Sequence, residues 1–370
     1  MTAPRALDVS AGVGAAYTAK LLAEAGWDVL KVETAAGDPL RRQESRWGEG
    51  AAGAFAFVNY GKRSVVVADR ATLTALAVKA DVVVGDFSPQ GCEASPVTPS
   101  DYRQLEPKLA IVSVSAFGLT GPRAGWASSD LVAQAASGLL FLTGEWDQPP
   151  MQLPPYAAAM AGGLAAASAT LAAARAARRD GAPRRVDVSM VEALAAHTYQ
   201  STSRYVYRGH VMRREQRVKQ ALRMVPASDR FVYCAPGAIA TVDMKGVSKL
   251  IGVPELAEER FQTAQGRMEN WDEYLRLFVP PFAARTAMEW FEEAEMLDLT
   301  FALVQTIDDL FACPQLEARN FFREVPGRQG KPVRVPGAPF QVHRGPGPSL
   351  RPAPSRPGEH TAEVLREWLS

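Results

Sequence analysis

Gly12 and Gly14 follow the short apolar run from Ala6 to Val9, a helical stretch comes next, and Glu33 stands at the end of a second apolar run. Glycines placed this way let backbone N–H groups approach a phosphate, and an acid some 20 residues on can accept a ribose hydroxyl. Tyr17, however, occupies the place where a third small residue would let the helix close on the strand. The pattern therefore reads as a βαβ unit that does not take nicotinamide. Lys62 and Arg63 flank a later apolar run and could meet a phosphate or pair with acids. Asp38 and Arg41, in GDPLRR, suit a loop fixed by pairing with each other or with backbone. Between Asp147 and Asp180 there is no Asp or Glu, so the alanine-rich run from Ala157 carries no carboxylate for nucleophilic or acid–base work. Glu192, Tyr199, Tyr205 and Tyr207 lie on the next helical stretch and remain as groups for elimination, hydration or isomerisation. Glu359 and His360 are better placed to cap the last helix than to catalyse.

Positioning these groups takes strands and helices in alternation. Strands are predicted at Ala6 to Val9, Asp28 to Val32, Ser64 to Val67, Asp81 to Val84, Ile111 to Val114 and Arg185 to Ser189. Helices are predicted at Ala15 to Ala25, Asp130 to Leu142 and Ala157 to Arg178. Such alternation implies an α/β fold with a parallel sheet covered on both faces. From about Pro226 to Leu310 the pattern is that of a separate, smaller unit with a short strand at Arg230 to Ala235. The Pro/Gly/Arg-rich tail from Pro326 to Pro357 reads as mostly extended, before a helix from Glu359 to Leu369.

The chain has 370 residues, 47% of them hydrophobic, and a formal net charge of +1. That length allows one large or two ordinary domains, and the balanced charge gives no reason to expect nucleic acid as a partner. Cys92, Cys234 and Cys313 lie far apart with no CxxC or Cys/His cluster, so neither a disulfide framework nor a metal site is expected. A reducing, cytoplasmic setting suits them. The first residues, MTAPRALDVSAG, have no apolar core of signal-peptide length. The run from Ala157 to Ala177 is mostly Ala with Ser168, Thr170 and Arg175 within it, and is expected to be a buried helix rather than a membrane span.

The strings LDVSAGVGAAYTAKLLAEAGWDVLKVE (7 to 33), GDPLRR (37 to 42), NYGKRSVVV (59 to 67) and ADVVVGDFSP (80 to 89) come in a specific order. IVSVSAFGLTGP (111 to 122), DLVAQAASGLLFLTGEWDQPP (130 to 150), RRVDVSMVEAL (184 to 194) and CPQLEARNFFREV (313 to 325) continue it. The series closes with GAPF (337 to 340) and PGEHTAEVLREWL (357 to 369). Together they resemble the family III CoA-transferases of the CaiB/BaiF type, which include formyl-CoA transferases, carnitine CoA-transferases and acyl-CoA racemases. The resemblance implies a Rossmann-like large domain built from residues 1–215 and 325–370, a smaller α/β domain over 216–324, and two subunits interlocked like links of a chain. It also implies coenzyme A or an acyl-CoA as substrate, with no permanently bound cofactor.

Residue by residue, the resemblance carries a CoA-contacting loop onto Ala11, Gly12 and Val13, an apolar adenine contact onto Val67 and a basic phosphate contact onto Arg70. Asp86 and Phe87 match residues that contact the pantetheine arm, with an acid where the family has Asn. Further basic positions of formyl-CoA transferases fall on Thr34, Ala94 and Ala127. The family's nucleophilic Asp, four residues before the Gly that matches Gly163, falls on Ala159. Transfer requires a carboxylate to attack the thioester and carry CoA, which a methyl group cannot do. The racemase pair falls on Ser129 and Ala159, so racemisation by that route is disfavoured as well. The segment Arg223 to Ala240 lacks the Gly-rich lid of formyl-CoA transferases. The expected protein is thus the nucleophile-lacking subunit of a heteromeric CoA-transferase for an aromatic, steroid or other carboxylic acid. An independent acyl-CoA dehydratase, hydratase or isomerase, or a binding protein, is the alternative. The partner would be a catalytic paralogue or a second copy, with neither nucleic acid nor membrane involved.

Overall fold

The computed structural model describes residues 3–42, 53–67, 69–89, 91, 109–214, 224–234, 243–326, 332–343 and 351–370. The chain divides into two compact units, Met1–Arg214 with Ala318–Ser370, and Glu215–Glu317. In the first, β1 (Arg5–Asp8), β2 (Asp28–Glu33), β3 (Arg63–Val66), β4 (Val82–Gly85), β5 (Ala110–Ser115) and β6 (Arg184–Ser189) form one sheet in the order β3-β2-β1-β4-β5-β6. Every neighbouring pair is parallel. This is the Rossmann order, and it reverses between β1 and β4.

The alternation of side chains along each strand divides the core into two layers. Leu7, Leu30, Val32, Val65, Val83 and Ile111 point to one face. There they meet α3 (Arg70–Val78) through Leu73 and Leu76, and the C-terminal helix (Thr361–Leu369) through Val364 and Trp368. Ala6, Val29, Val82, Val84, Val112 and Val114 point to the other face, against α1 (Val13–Glu24) and the long helix α5 (Ala157–Asp180). Two covered faces explain why the strands read as continuous Val/Ile/Leu runs rather than alternating ones.

Helices α1 and α5 touch through small residues. A Cβ on Gly163 would lie 2.6 Å from the Gly14 carbonyl oxygen, so only glycine permits this approach. The Thr18 hydroxyl donates to Gly163 O at 3.0 Å, satisfying its polar group inside the contact. Helix α5 is long and apolar enough to cross a membrane by length and composition, but half of its apolar window is buried in the fold. Alanine gives it a narrow profile suited to this packing.

One predicted element differs. The helix expected from Asp130 to Leu142 is two pieces, α4 (Asp130–Ala136) and a 3-10 turn at Leu140–Leu142, because Gly138 adopts φ +80° between them. In the tail expected to be extended, β11 (Pro332–Pro336) is an extended strand and pairs antiparallel with β10 (Phe322–Pro326), which precedes the tail. The second unit holds a three-stranded antiparallel sheet, β7 (Met224–Pro226), β8 (Phe231–Cys234) and β9 (Phe301–Leu303). Its core is aromatic, with Tyr274, Phe278, Phe282 and Trp290 in succession, their neighbouring centroids 5.1–5.3 Å apart.

Candidate functional site

In open parallel sheets, ligands lie outside the carboxyl ends of the strands where the order reverses. The loops leaving β1 and β4 at that point carry Ala11, Val13, Asp86 and Phe87, and the end of β3 on the same edge carries Val67 and Arg70. Residues far apart in sequence are thus gathered by strand order alone. Gly12, at φ −138°, caps α1 without a side chain, no acidic residue stands in the first turn, and a Cβ there would meet nothing within 4 Å. The open helix terminus offers N–H donors and partial positive charge, which suits phosphate. Arg70 begins α3 and is exposed. Burial pushes the Asp86 carboxyl up, against hydrogen bonds from Ser88, which lessens the repulsion an acid would exert on phosphate. Phe87 turns back over Gly85 into the core beside Leu7 and Val9, and Val67 packs half-buried against that same cluster. Val13 is buried with Ala159. Thr34 and Ala127 are exposed, whereas Ala94, Cys92 and, in the segment compared with the lid, Arg223 and residues 235–240 lie outside the described residues.

Beneath this edge is a buried ionic network that fixes its loops. Lys62, fully buried, places Nζ 2.6 Å from Asp8 Oδ2, 2.8 Å from Ala16 O and 3.0 Å from Asn59 Oδ1. It is fully engaged in holding β1, α1 and the end of α2 (Gly53–Asn59) together, so the phosphate role open to it from sequence does not fit its position. Lys31 pairs with Asp38 at 2.6 Å and with Asp8 at 3.6 Å, and its ammonium also donates to Ser10 O. Asp38 and Arg41 do not pair with each other. Arg41 instead forks onto both oxygens of Glu33, at 2.7 and 2.8 Å, and donates to Pro354 O. Glu33 also accepts from Ser64 Oγ at 2.6 Å, which leaves it no free edge for a ribose. Burial raises the Asp8 carboxyl, but Lys31 and Lys62 outweigh it and hold the group at about 2. Burial brings Lys62 down to about 8, Asp8 opposing this.

Ala159 lies in the first turn of α5, 5% exposed, among Val13, Ala16, Leu40, Phe55 and Val58. Its backbone N–H donates to Asp130 Oδ1 at 2.9 Å. The residue before the helix, Tyr156, is left-handed at φ 67° and offers no side-chain cap, so Asp130 supplies that cap from α4. Asp130 Oδ2 accepts from Gln134 Nε2 at 2.7 Å, and Gln134 Oε1 accepts from Leu153 N. Asp130 thus touches the predicted nucleophile position through the backbone. Only the absence of a capping residue at Tyr156 hints at this in the sequence, and it does not reveal which acid substitutes.

The alternative catalytic groups do not gather. Tyr199, Tyr205 and Tyr207 are 60–85% exposed on α7 (Tyr199–Arg208), and Glu192 is exposed on α6 (Met190–Ala195). Glu359 and His360 do not cap the last helix by side chain either. Glu359 accepts from Ser355 N, and His360 Nδ1 accepts from Ser64 N at 3.1 Å, which staples the tail to the edge strand β3. The N–H groups of β3 are unpaired on that side of the sheet, so the tail satisfies them in preference to the helix end.

A Rossmann-ordered sheet with an unobstructed helix N-terminus at its reversal defines the class. Residues 4–361 match the model of CoA-transferase family III, and the chain belongs to that family, whose substrates are CoA thioesters. Among relatives, the succinyl-CoA:(R)-benzylsuccinate CoA-transferase subunit BbsE of Thauera aromatica is 30% identical over 98% of this chain and 93% of its own. An acyl-CoA transferase of Fusarium pseudograminearum is 30% identical over 99% of this chain and 84% of its own. A CAIB/BAIF family protein from Brucella suis shares the fold, with TM-score 0.85 and 24% identity over 99% of this chain and 98% of that one. An aspartate-to-alanine mutant of Rv3272 from Mycobacterium tuberculosis superposes with TM-score 0.79 and 26% identity over 98% and 97% of the two chains.

Proposed function

We propose that this chain is the nucleophile-lacking subunit of a heteromeric family III CoA-transferase acting on an aromatic, steroid-type or other carboxylic acid. It would hold acyl-CoA along Ala11–Val13, Val67, Arg70 and Asp86–Phe87 while a related subunit performs transfer. In the family reaction, a carboxylate attacks the thioester carbonyl and expels CoA thiolate, leaving a mixed anhydride. The thiolate then attacks the enzyme's carbonyl, forming an enzyme thioester and releasing the first acid; a second acid reverses both steps. The methyl group of Ala159 forms neither bond. The observation that carries this reading is the setting of Ala159, an apolar cluster in which the carboxylate at its backbone N–H, Asp130, is committed to a helix N-terminus. Similarity to a chain named as a subunit, BbsE, points the same way. So do Leu131, Leu164, Leu171, Tyr205 and Tyr207, apolar or aromatic groups left exposed on α4, α5 and α7.

Native mass spectrometry of the tagged chain from its own cells tests this. The expected result is a stable complex with a second family III chain carrying the aspartate. A homodimer that transfers CoA unaided would sink the proposal.

A further inference from the structure

The loop that leaves β5 carries an aromatic and cationic group that no step above uses. Strand β5 lies next to β4, and Leu119 of this loop packs on the cluster that holds Phe87 and Val67. Asp187 fixes the loop, its two oxygens accepting from Leu119 N at 3.0 and 3.2 Å, and Ser189 Oγ donates to Ala116 O at 3.1 Å. Two tight turns follow, in which Ala124 N donates to Gly121 O and Trp126 N to Arg123 O. The turns bring Trp126 back against Phe117, two residues beyond the end of β5, and the rings meet edge to face with centroids 6.2 Å apart. The guanidinium of Arg123 lies over the indole, its carbon 5.0 Å from the ring centroid.

This group is braced but not covered. Trp126 stays 55% exposed after both contacts, and Arg123 is exposed with no carboxylate partner among the described residues. The acids that border the loop are committed to other groups, Asp187 to Leu119 N, and Asp130 to Ala159 N and Gln134 Nε2. Arg123 is therefore the net charge of the loop. A guanidinium held on an exposed indole suits a ligand that presents a flat ring and an anion side by side, the ring stacking and the anion accepting from the N–H edge. Chain length ties the group to position 159. Four residues separate Trp126 from Asp130, so their Cα atoms lie within about 14 Å of each other, and Asp130 touches the Ala159 amide.

We propose that Arg123 and Trp126 bind the 3′-phosphoadenosine end of coenzyme A, Arg123 taking the 3′-phosphate and Trp126 stacking on the adenine. The inference rests on the placement of acyl-CoA at this edge made above, and not on the subunit role. An arylcarboxylate also offers a ring and an anion, but the reacting end of a substrate belongs at position 159, which is 5% exposed on α5. A group fixed at the open rim suits the end of the ligand that stays unchanged.

Calorimetric titration of the full chain with coenzyme A and with 3′-dephospho-coenzyme A tests this. The unaltered chain is expected to bind coenzyme A at least tenfold more tightly than the dephospho form. Arg123→Gln is expected to abolish that preference by weakening coenzyme A alone, and Trp126→Leu to weaken both about tenfold, with circular dichroism verifying the fold of each variant. Equal binding of the two by the unaltered chain, or a preference that survives Arg123→Gln, would overturn the inference and leave acyl-CoA at this edge. Absence of any coenzyme A binding would overturn it together with that placement. Full coenzyme A affinity in both variants, alongside loss of phenylacetate binding, would overturn it by giving the loop to the acid substrate.

Discussion

At the scale of single residues, the decisive feature is a methyl group with a carboxylate beside its backbone. Asp130 caps α5 across the gap between two helices, at 2.9 Å from the Ala159 amide. Asp130→Ala is expected to lower stability by about 0.5–2 kcal/mol, the usual value of a lost helix cap, measurable by urea denaturation. Ala159→Asp puts a carboxylate among Val13, Ala16 and Phe55 and close to that of Asp130, at a cost of about 1–3 kcal/mol. The same substitution is expected to let the chain acquire CoA as an enzyme thioester, detectable as an adduct by intact-protein mass spectrometry after incubation with acyl-CoA. Failure to form the adduct with any acyl-CoA would mean that the chain departs from the family reaction at more than position 159.

At the scale of elements, two devices hold the loops at the carboxyl edge of the sheet in place. One is the close contact of α1 and α5. Gly163→Ala forces a carbon to 2.6 Å from Gly14 O and is expected to cost about 1–3 kcal/mol, read as a fall in melting temperature. The other is the ionic network joining β1, β2, α1 and the 38–41 turn. Lys62→Met leaves Asp8 with Lys31 at 3.6 Å and is expected to destabilise by about 3–5 kcal/mol, because the remaining carboxylate stays buried. The acid limb of stability follows from Asp8. Its pKa is lowered from 3.8 to about 2 on folding, so its contribution is complete above 3.8 and disappears as pH falls through about 2. The amount is on the order of 2 kcal/mol. Denaturation curves between pH 5 and 2 should therefore flatten for Asp8→Asn relative to the unaltered chain.

At the scale of the whole molecule, apolar side chains are exposed where a single chain gains nothing from them. Val206 and Tyr207 on α7 are 69% and 85% exposed, and Leu164 and Leu171 on α5 are 49% and 46% exposed. Surfaces of this kind are stable when covered. The chain expressed alone is expected to self-associate or aggregate, and, under the proposed subunit role, co-expression with an aspartate-bearing family III chain to give one defined species by sedimentation velocity.

The strands, most helices and the order in which they alternate were legible in the sequence. A buried parallel strand is a Val/Ile/Leu run whatever surrounds it, as VVVG from Val82 shows. The absence of a carboxylate between Asp147 and Asp180 was equally plain, since a missing residue type needs no coordinates. What each charge pairs with was not legible. Lys62 read as open to phosphate or to an acid, and Arg41 as open to Asp38 or to backbone; that their acids are Asp8 and Glu33, 54 and 8 positions away, follows from strand order bringing those groups together. The hydrogen bond from Ala159 to Asp130 has the same origin. Local pattern follows from the chemistry of neighbours in the chain, but the surroundings of an ionisable group are set by packing between distant segments, which only the tertiary structure decides.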